Sequence, residues 1–174
     1  MLNLNQSAPD FKGVKAYVNG DFKDISLTDY TGRWLVLFFY PRDFTFVCPT
    51  ELRGFAKHAD KFQSLKCELL AASTDSEYSH KNWFEKDLPQ VKFPVLADTT
   101  QALSKAYGVL NENDGSAERG LFIIDPEGKI RYILVSSGSV GRSVTETLRV
   151  LTALQSGDLC PMEWHQGEDT LGKA

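Results

Sequence analysis

WLVLFFYPRDFTFVCPTELRGFAKHADKFQSLKCELLAAS, residues 34–73, holds the order of elements on which the fold turns. Its two ends, Trp34 to Tyr40 and Cys67 to Ser73, are short apolar runs without polar alternation, the pattern of strands buried on both faces. Between them Leu52, Phe55, Ala56, Ala59, Phe62 and Leu65 recur at three- and four-residue spacing, and Pro49 suits a first helical position. Strand, helix, strand implies a parallel pair joined by a crossover.

Working outward, AYVNGDFKDISL (residues 16–27) places Asn19-Gly20 between short alternating runs, which predicts a β-hairpin with a tight primed turn, peripheral to the core. An amphipathic stretch from Glu77 to Lys86 leads to the short FPVLAD, and a brief helix from Gln101 to Ala106 leads to LFIID. DPEG (Asp125 to Gly128) is a turn, so LFIID and KIRYILVS should pair antiparallel. A last helix from about Ser143 to Gln155 carries Val144, Leu148, Leu151 and Leu154 on one face. The sum is an α/β domain with a mixed central sheet and helices on both faces, expected at 1–157. Residues 158–174, with Pro, Gly and scattered charge, read as a C-terminal arm.

At 174 residues with 42% hydrophobic content the chain suits one globular domain. A net charge of −4 and the lack of a basic stripe argue against nucleic acid. No apolar run approaches the roughly 20 residues of a membrane span, and MLNLNQSAPDF lacks a signal layout, so a cytoplasmic protein without membrane attachment is expected. Cys48, Cys67 and Cys160 cannot all pair within one chain, which favours redox use over structural use. They and the three histidines (His58, His80, His165) lack metal-ligand spacing, so no metal is expected.

Cys48 sits where a buried strand gives way to a helix start. Free amides and the positive end of the helix dipole favour an anion there, so a cysteine at that terminus should have a lowered pKa and carry the nucleophilic thiolate. A buried packing cysteine fits the position equally well, since free cysteine is among the most buried residue types.

The neighbours of Cys48 separate the two readings. Pro41, Thr45 and Cys48 form PRDFTFVC, a Pro-x-x-x-Thr-x-x-Cys pattern followed by PTE, and here the chain resembles the peroxiredoxins. The resemblance extends over APDF, DSEYSHKNW, RGLFIIDPEGKIR and CPMEWHQGEDTL. It is nearest the typical two-cysteine branch, and within it the bacterial alkyl hydroperoxide reductase C subunit. The fold so implied is thioredoxin-like.

By that resemblance Cys48 is the peroxidatic cysteine, oxidised by peroxide to a sulfenic acid. Thr45 matches the threonine whose hydroxyl donates to the peroxide or the thiolate and so places the O–O bond for attack, and Pro41 the proline that covers the site. Arg119 matches the active-site arginine, which would hold the thiolate's charge and that developing on the peroxide; composition alone favours a surface arginine before a strand, and only the resemblance reverses that. Glu51 matches a glutamate that orients the arginine, although a first-turn helix acid needs no other reason. Cys160 matches the resolving cysteine, which in this branch comes from a partner subunit, implying a homodimer with two Cys48–Cys160 disulfides and a possible decamer of five dimers. The implied substrates are hydrogen peroxide and organic hydroperoxides. The implied reductant is thioredoxin or a dedicated flavoprotein disulfide reductase, with no cofactor on this chain.

Cys67 finds no place in the catalytic pattern and reads as packing. Trp83 and Trp164 read as framework, and Phe44 and Val47 as an apolar collar for the site. LPQVKFPVLAD stands where eukaryotic members carry a Gly-Gly-Leu-Gly insertion, and the chain stops at TLGKA without their Tyr-Phe helix, so resistance to overoxidation is expected. A thioredoxin-like disulfide oxidoreductase would want a second cysteine at position 51, which is Glu51. A ring-forming holdase is the non-enzymatic alternative, and it would consume no peroxide.

Overall fold

The computed structural model describes residues 2–173; positions 1 and 174, the outer ends of the two expected segments, lie outside the described residues. The chain forms two compact units, one up to Arg142 and the other from Ser143 on.

In the first unit β3 (Trp34–Phe39) and β4 (Cys67–Ser73) are parallel neighbours, Val36 opposite Leu69, as the flanking apolar runs require. The helical segment between them is two helices, α1 (Cys48–Lys57) and α2 (Ala59–Ser64). The expected single helix breaks at His58, whose backbone (φ −107°, ψ 8°) leaves the helical well while its ring Nδ1 donates to the Gly54 carbonyl at 2.9 Å. Cys48 takes the first helical position, which puts Pro49 second, still within the turn whose amides lack partners.

β1 (Val14–Val18) and β2 (Asp21–Ile25) form the expected hairpin, with Asn19 at φ 47° and Gly20 at φ 102° supplying the primed turn. It is more than an ornament. β1 pairs antiparallel with β5 (Val95–Ala97), Tyr17 opposite Val95, so the hairpin extends the central sheet. With β6 (Arg119–Ile124) and β7 (Ile130–Ser136) the mixed sheet has seven strands in the order β2-β1-β5-β4-β3-β6-β7. The β6–β7 turn is closed by Gly128 N–H donating to the Asp125 carbonyl at 2.9 Å.

Both faces of β3 are buried, which explains its unbroken apolar run. Leu35, Leu37 and Phe39 point into a cluster with Phe122, Ile124 and Tyr107, to which α4 (Ala102–Ala106) contributes Leu103. Phe38, on the opposite face, stacks on Phe55 of α1 with centroids 4.2 Å apart. Such a stacked pair adds about 0.5–1.5 kcal/mol beyond its buried area and holds α1 against this face of the sheet. α3 (Glu77–Asp87) is N-capped by the Ser76 hydroxyl, which accepts from Ser79 N–H.

In the second unit α5 (Val144–Ser156) starts on a Ser143 cap and ends at Gly157, whose φ of +66° is the left-handed conformation a helix terminus favours. The arm doubles back on itself: Leu159 N–H donates to the Gly172 carbonyl and Leu171 N–H to the Leu159 carbonyl, and Arg149 Nη1 donates to the Trp164 carbonyl. Among the described residues no helix is long and apolar enough to cross a membrane.

Candidate active site

Strand register places the first pair of functional groups. Phe38 of β3 faces Leu121 of β6, so Arg119, two residues earlier in the antiparallel β6, lies at the level where the chain leaves β3 for α1. Arg119 Nη1 reaches Cys48 Sγ at 3.4 Å and Glu51 Oε2 at 2.8 Å, while its Nε donates to the Gly138 carbonyl at 2.9 Å. Cys48 is 1% exposed and Arg119 3%, so the contact is made out of bulk water.

Glu51, one turn along α1 from Cys48, is held from its other side by Arg142. Arg142 N–H and Nε both donate to Oε1, at 2.8 and 2.7 Å, and Nη2 donates to Oε2 at 2.9 Å. Nη1 is fixed on the Gly120 carbonyl, and the guanidinium lies 5.5 Å from the Phe38 ring centroid. Burial alone would raise the Glu51 carboxyl; the Arg142 hydrogen bonds and charge, with Arg119 behind them, outweigh it and hold the group below the ordinary carboxylate range. One carboxylate between two guanidiniums leaves a net positive charge beside Cys48, the sign a thiolate or a developing oxyanion needs.

Pro41, Thr45, Cys48 and Arg119 border one open pocket of about 340 Å³. The Thr45 hydroxyl does not donate toward Cys48 or the pocket as expected: its proton goes to the Arg42 carbonyl at 2.9 Å, which leaves its lone pairs as acceptors. The apolar collar comes from Phe46 and Val47, not from Phe44 and Val47. Phe44 has left-handed backbone, φ +56°, which breaks the alternation of the loop and lays its ring 5.7 Å from that of Trp83.

Five of the six candidate residues are therefore brought together: Pro41, Thr45, Cys48 and Arg119 at the pocket, with Glu51 touching Arg119. The sixth, Cys160, belongs to the second unit, where its half-buried sulfur lies 3.5 Å from the Ser156 hydroxyl. All three cysteines are free thiols, and Cys67 is packed in β4. Arg142 was missed by sequence reading. A signal did exist: an arginine directly before the Ser143 cap is badly placed for a helix dipole, which implies an acidic partner elsewhere.

The AhpC/TSA family model matches residues 4–133. A protein of Trypanosoma brucei rhodesiense named thioredoxin peroxidase is 47% identical over 177 residues, covering 97% of this chain and 89% of its own. The crystal structure of reduced Plasmodium vivax 2-Cys peroxiredoxin is similar with a TM-score of 0.92 at 36% identity, over 96% of this chain and 91% of that one. Enterococcus faecalis AhpC is similar with a TM-score of 0.88 at 39% identity, over 92% and 100%. With this thioredoxin-like fold, and a cysteine and an arginine meeting at its pocket, the chain belongs to the AhpC/TSA family and is a peroxiredoxin, an enzyme that reduces peroxides by thiol chemistry.

Proposed function

We propose that Cys48 is the residue that peroxide oxidises, and the observation that carries this is its 3.4 Å contact with Arg119 at the pocket. The Cys48 thiolate attacks one peroxide oxygen, the O–O bond breaks, and the departing alkoxide or hydroxide takes a proton to leave as alcohol or water. Cys48 becomes a sulfenic acid. Arg119 meets the charge that moves from sulfur to the leaving oxygen; Thr45 accepts a hydrogen bond from the peroxide and aligns it; Pro41 walls the pocket without offering a competing donor. Glu51 and Arg142 act on the peroxide only through Arg119.

Cys160 of a second copy then condenses with the Cys48 sulfenic acid, forming a disulfide and releasing water. The working unit is a homodimer of this kind, with five dimers able to close a ring. The functional division falls between a peroxidase domain at 1–157 and an arm at 158–174. A dithiol protein restores both thiols, and the relative named thioredoxin peroxidase favours thioredoxin over a dedicated flavoprotein in that role. Hydrogen peroxide and small organic hydroperoxides are the substrates, in antioxidant defence. Three free cysteines suit a reducing compartment such as the cytoplasm.

Peroxide consumption with dithiothreitol as electron donor, together with non-reducing gels, tests this reading. Cys48→Ser should consume no peroxide, and peroxide should produce a linked dimer that requires both Cys48 and Cys160. Turnover by Cys48→Ser would overturn the assignment of Cys48. A linked dimer that persists in Cys160→Ser would overturn the pairing.

A further inference from the structure

In the reduced fold Cys48 is 1% exposed at the first turn of α1, so its sulfur cannot bond to a cysteine of another subunit until residues 40–47 leave their place. Of residues 41–47 only Asp43 is buried. Its carboxylate accepts from the Tyr40 hydroxyl at 2.7 Å on Oδ1, and from the Ser79 hydroxyl and His80 Nδ1, each at 2.8 Å, on Oδ2. Its own N–H donates to Asp75 Oδ2 at 2.9 Å, and that oxygen is fixed in turn by the Ser73 hydroxyl at 2.7 Å. His80 is wholly buried and carries the tie onward, with Nε2 on the Leu96 carbonyl of β5 at 3.2 Å.

The neighbouring residue works the other way. Phe44 is held at φ +56°, a conformation that costs a bulky side chain free energy and lasts only where its surroundings impose it. The loop's other side-chain hydrogen bonds are weaker, since the Thr45 hydroxyl binds within the loop and Arg42 Nη2 reaches the Asp114 carbonyl on an exposed surface.

We propose that Asp43, clasped by Tyr40, Ser79 and His80, is the anchor that keeps residues 40–47 folded around Cys48, and that its grip sets how fast an oxidised Cys48 leaves that fold. The proposal rests on Cys48 as the peroxidatic residue. Asp43 and His80 are positioning residues, acting on the reaction through the loop. Their effect is a partition of the sulfenic acid. In the folded loop it meets a second peroxide, which oxidises it to sulfinic acid and leaves as alcohol or water. In the unfolded loop it condenses with a thiol, giving the disulfide and water.

The test compares full-length wild type with Asp43→Asn, His80→Gln and Ser79→Ala, reading the Cys48 and Cys67 peptides by mass spectrometry. The first readout is the rate of maleimide alkylation of the reduced protein. Removing one hydrogen bond to a charged acceptor, as in Ser79→Ala, should raise Cys48 alkylation about tenfold. Asp43→Asn and His80→Gln should raise it further. Cys67, buried in β4, reports global opening and should not change. The second readout is the Cys48 sulfinic fraction after repeated turnover with excess peroxide, which should fall in the same order.

Unchanged Cys48 alkylation in the variants, or Cys48 and Cys67 rising together, would overturn the anchor. Ser79→Ala, at a half-buried position, carries the test if Asp43→Asn fails to fold. Full peroxide turnover by Cys48→Ser would instead remove the catalytic reading and leave the alkylation result standing.

Discussion

Arg142 grips Glu51 along the side of its guanidinium, Nε on Oε1 at 2.7 Å and Nη2 on Oε2 at 2.9 Å, and this pair sets the position of Arg119 over Cys48. A planar fork matches a carboxylate at two points, whereas an ammonium group meets it at one. Arg142→Lys keeps the charge but gives up the second point and the bond to the Gly120 carbonyl. Hydrogen bonds to charged groups contribute about 1.5–3 kcal/mol, so the rate constant for peroxide in single-turnover stopped-flow should fall roughly ten- to hundredfold. A rate within about twofold of wild type would show that Glu51 and Arg119 hold their places without the fork.

The same cluster should give the protein an acid-sensitive component of stability. The folded-state pKa of Glu51 lies below its ordinary value of 4.5, because the arginines outweigh burial. A carboxyl depressed on folding stabilises the native state above its unfolded pKa, and that stabilisation is lost as pH falls through the folded value. Denaturant unfolding of wild type from neutral pH to about pH 3 should therefore weaken below about pH 4.5, near the unfolded pKa of glutamate. Glu51→Gln should be less stable at neutral pH and show a flatter acid limb. Parallel pH profiles for the two proteins would refute the linkage.

How far the site could be read without coordinates depended on where each residue's partner lies. The buried strands at 34–40 and 67–73 announce themselves through local composition, and the Pro41, Thr45, Cys48 spacing falls within one loop. The hairpin at Asn19-Gly20 was legible as a hairpin, but its pairing with β5 was not, because Tyr17 meets Val95 through tertiary contact alone. Arg142 and Asp43 were missed for the same reason. Their partners, Glu51 and His80, are distant in sequence, and nothing in a one-dimensional pattern states that a charged side chain is buried against another.

Cys67 and Cys48 are both buried and should behave differently. Burial in β4 pushes the Cys67 thiol up to about 12, with its sulfur 3.6 Å from the Glu68 carbonyl. It stays protonated throughout the physiological range and has no guanidinium beside it, so it is a poor nucleophile. Native protein treated with iodoacetamide at neutral pH should leave Cys67 unmodified, with labelling appearing only in denaturant. Cys67→Ala should keep wild-type peroxidase activity at a stability cost of about 1 kcal/mol for the lost packing. Loss of turnover in this variant would give Cys67 a part in the reaction.

Gly120 sits between the two arginine contacts, following Arg119 in β6 and offering its carbonyl to Arg142 Nη1. Its lack of a side chain is a matter of space: a Cβ there would lie 2.6 Å from Val109 Cγ1 and 3.1 Å from Phe122 Cε2. Both neighbours are buried, so β6 itself must move, at the about 1–3 kcal/mol usual for overpacking a core. That movement displaces Arg119 and the Arg142 acceptor together. Gly120→Ala should thus lower both the melting temperature and the rate of peroxide reduction, although it touches neither Cys48 nor Glu51. Val109→Ala opens the space that the new methyl group needs while leaving a cavity when made alone. In a double-mutant cycle the pair should be more stable and more active than the sum of the single losses. Strict additivity of the two changes would show that Gly120 is there for a reason other than room.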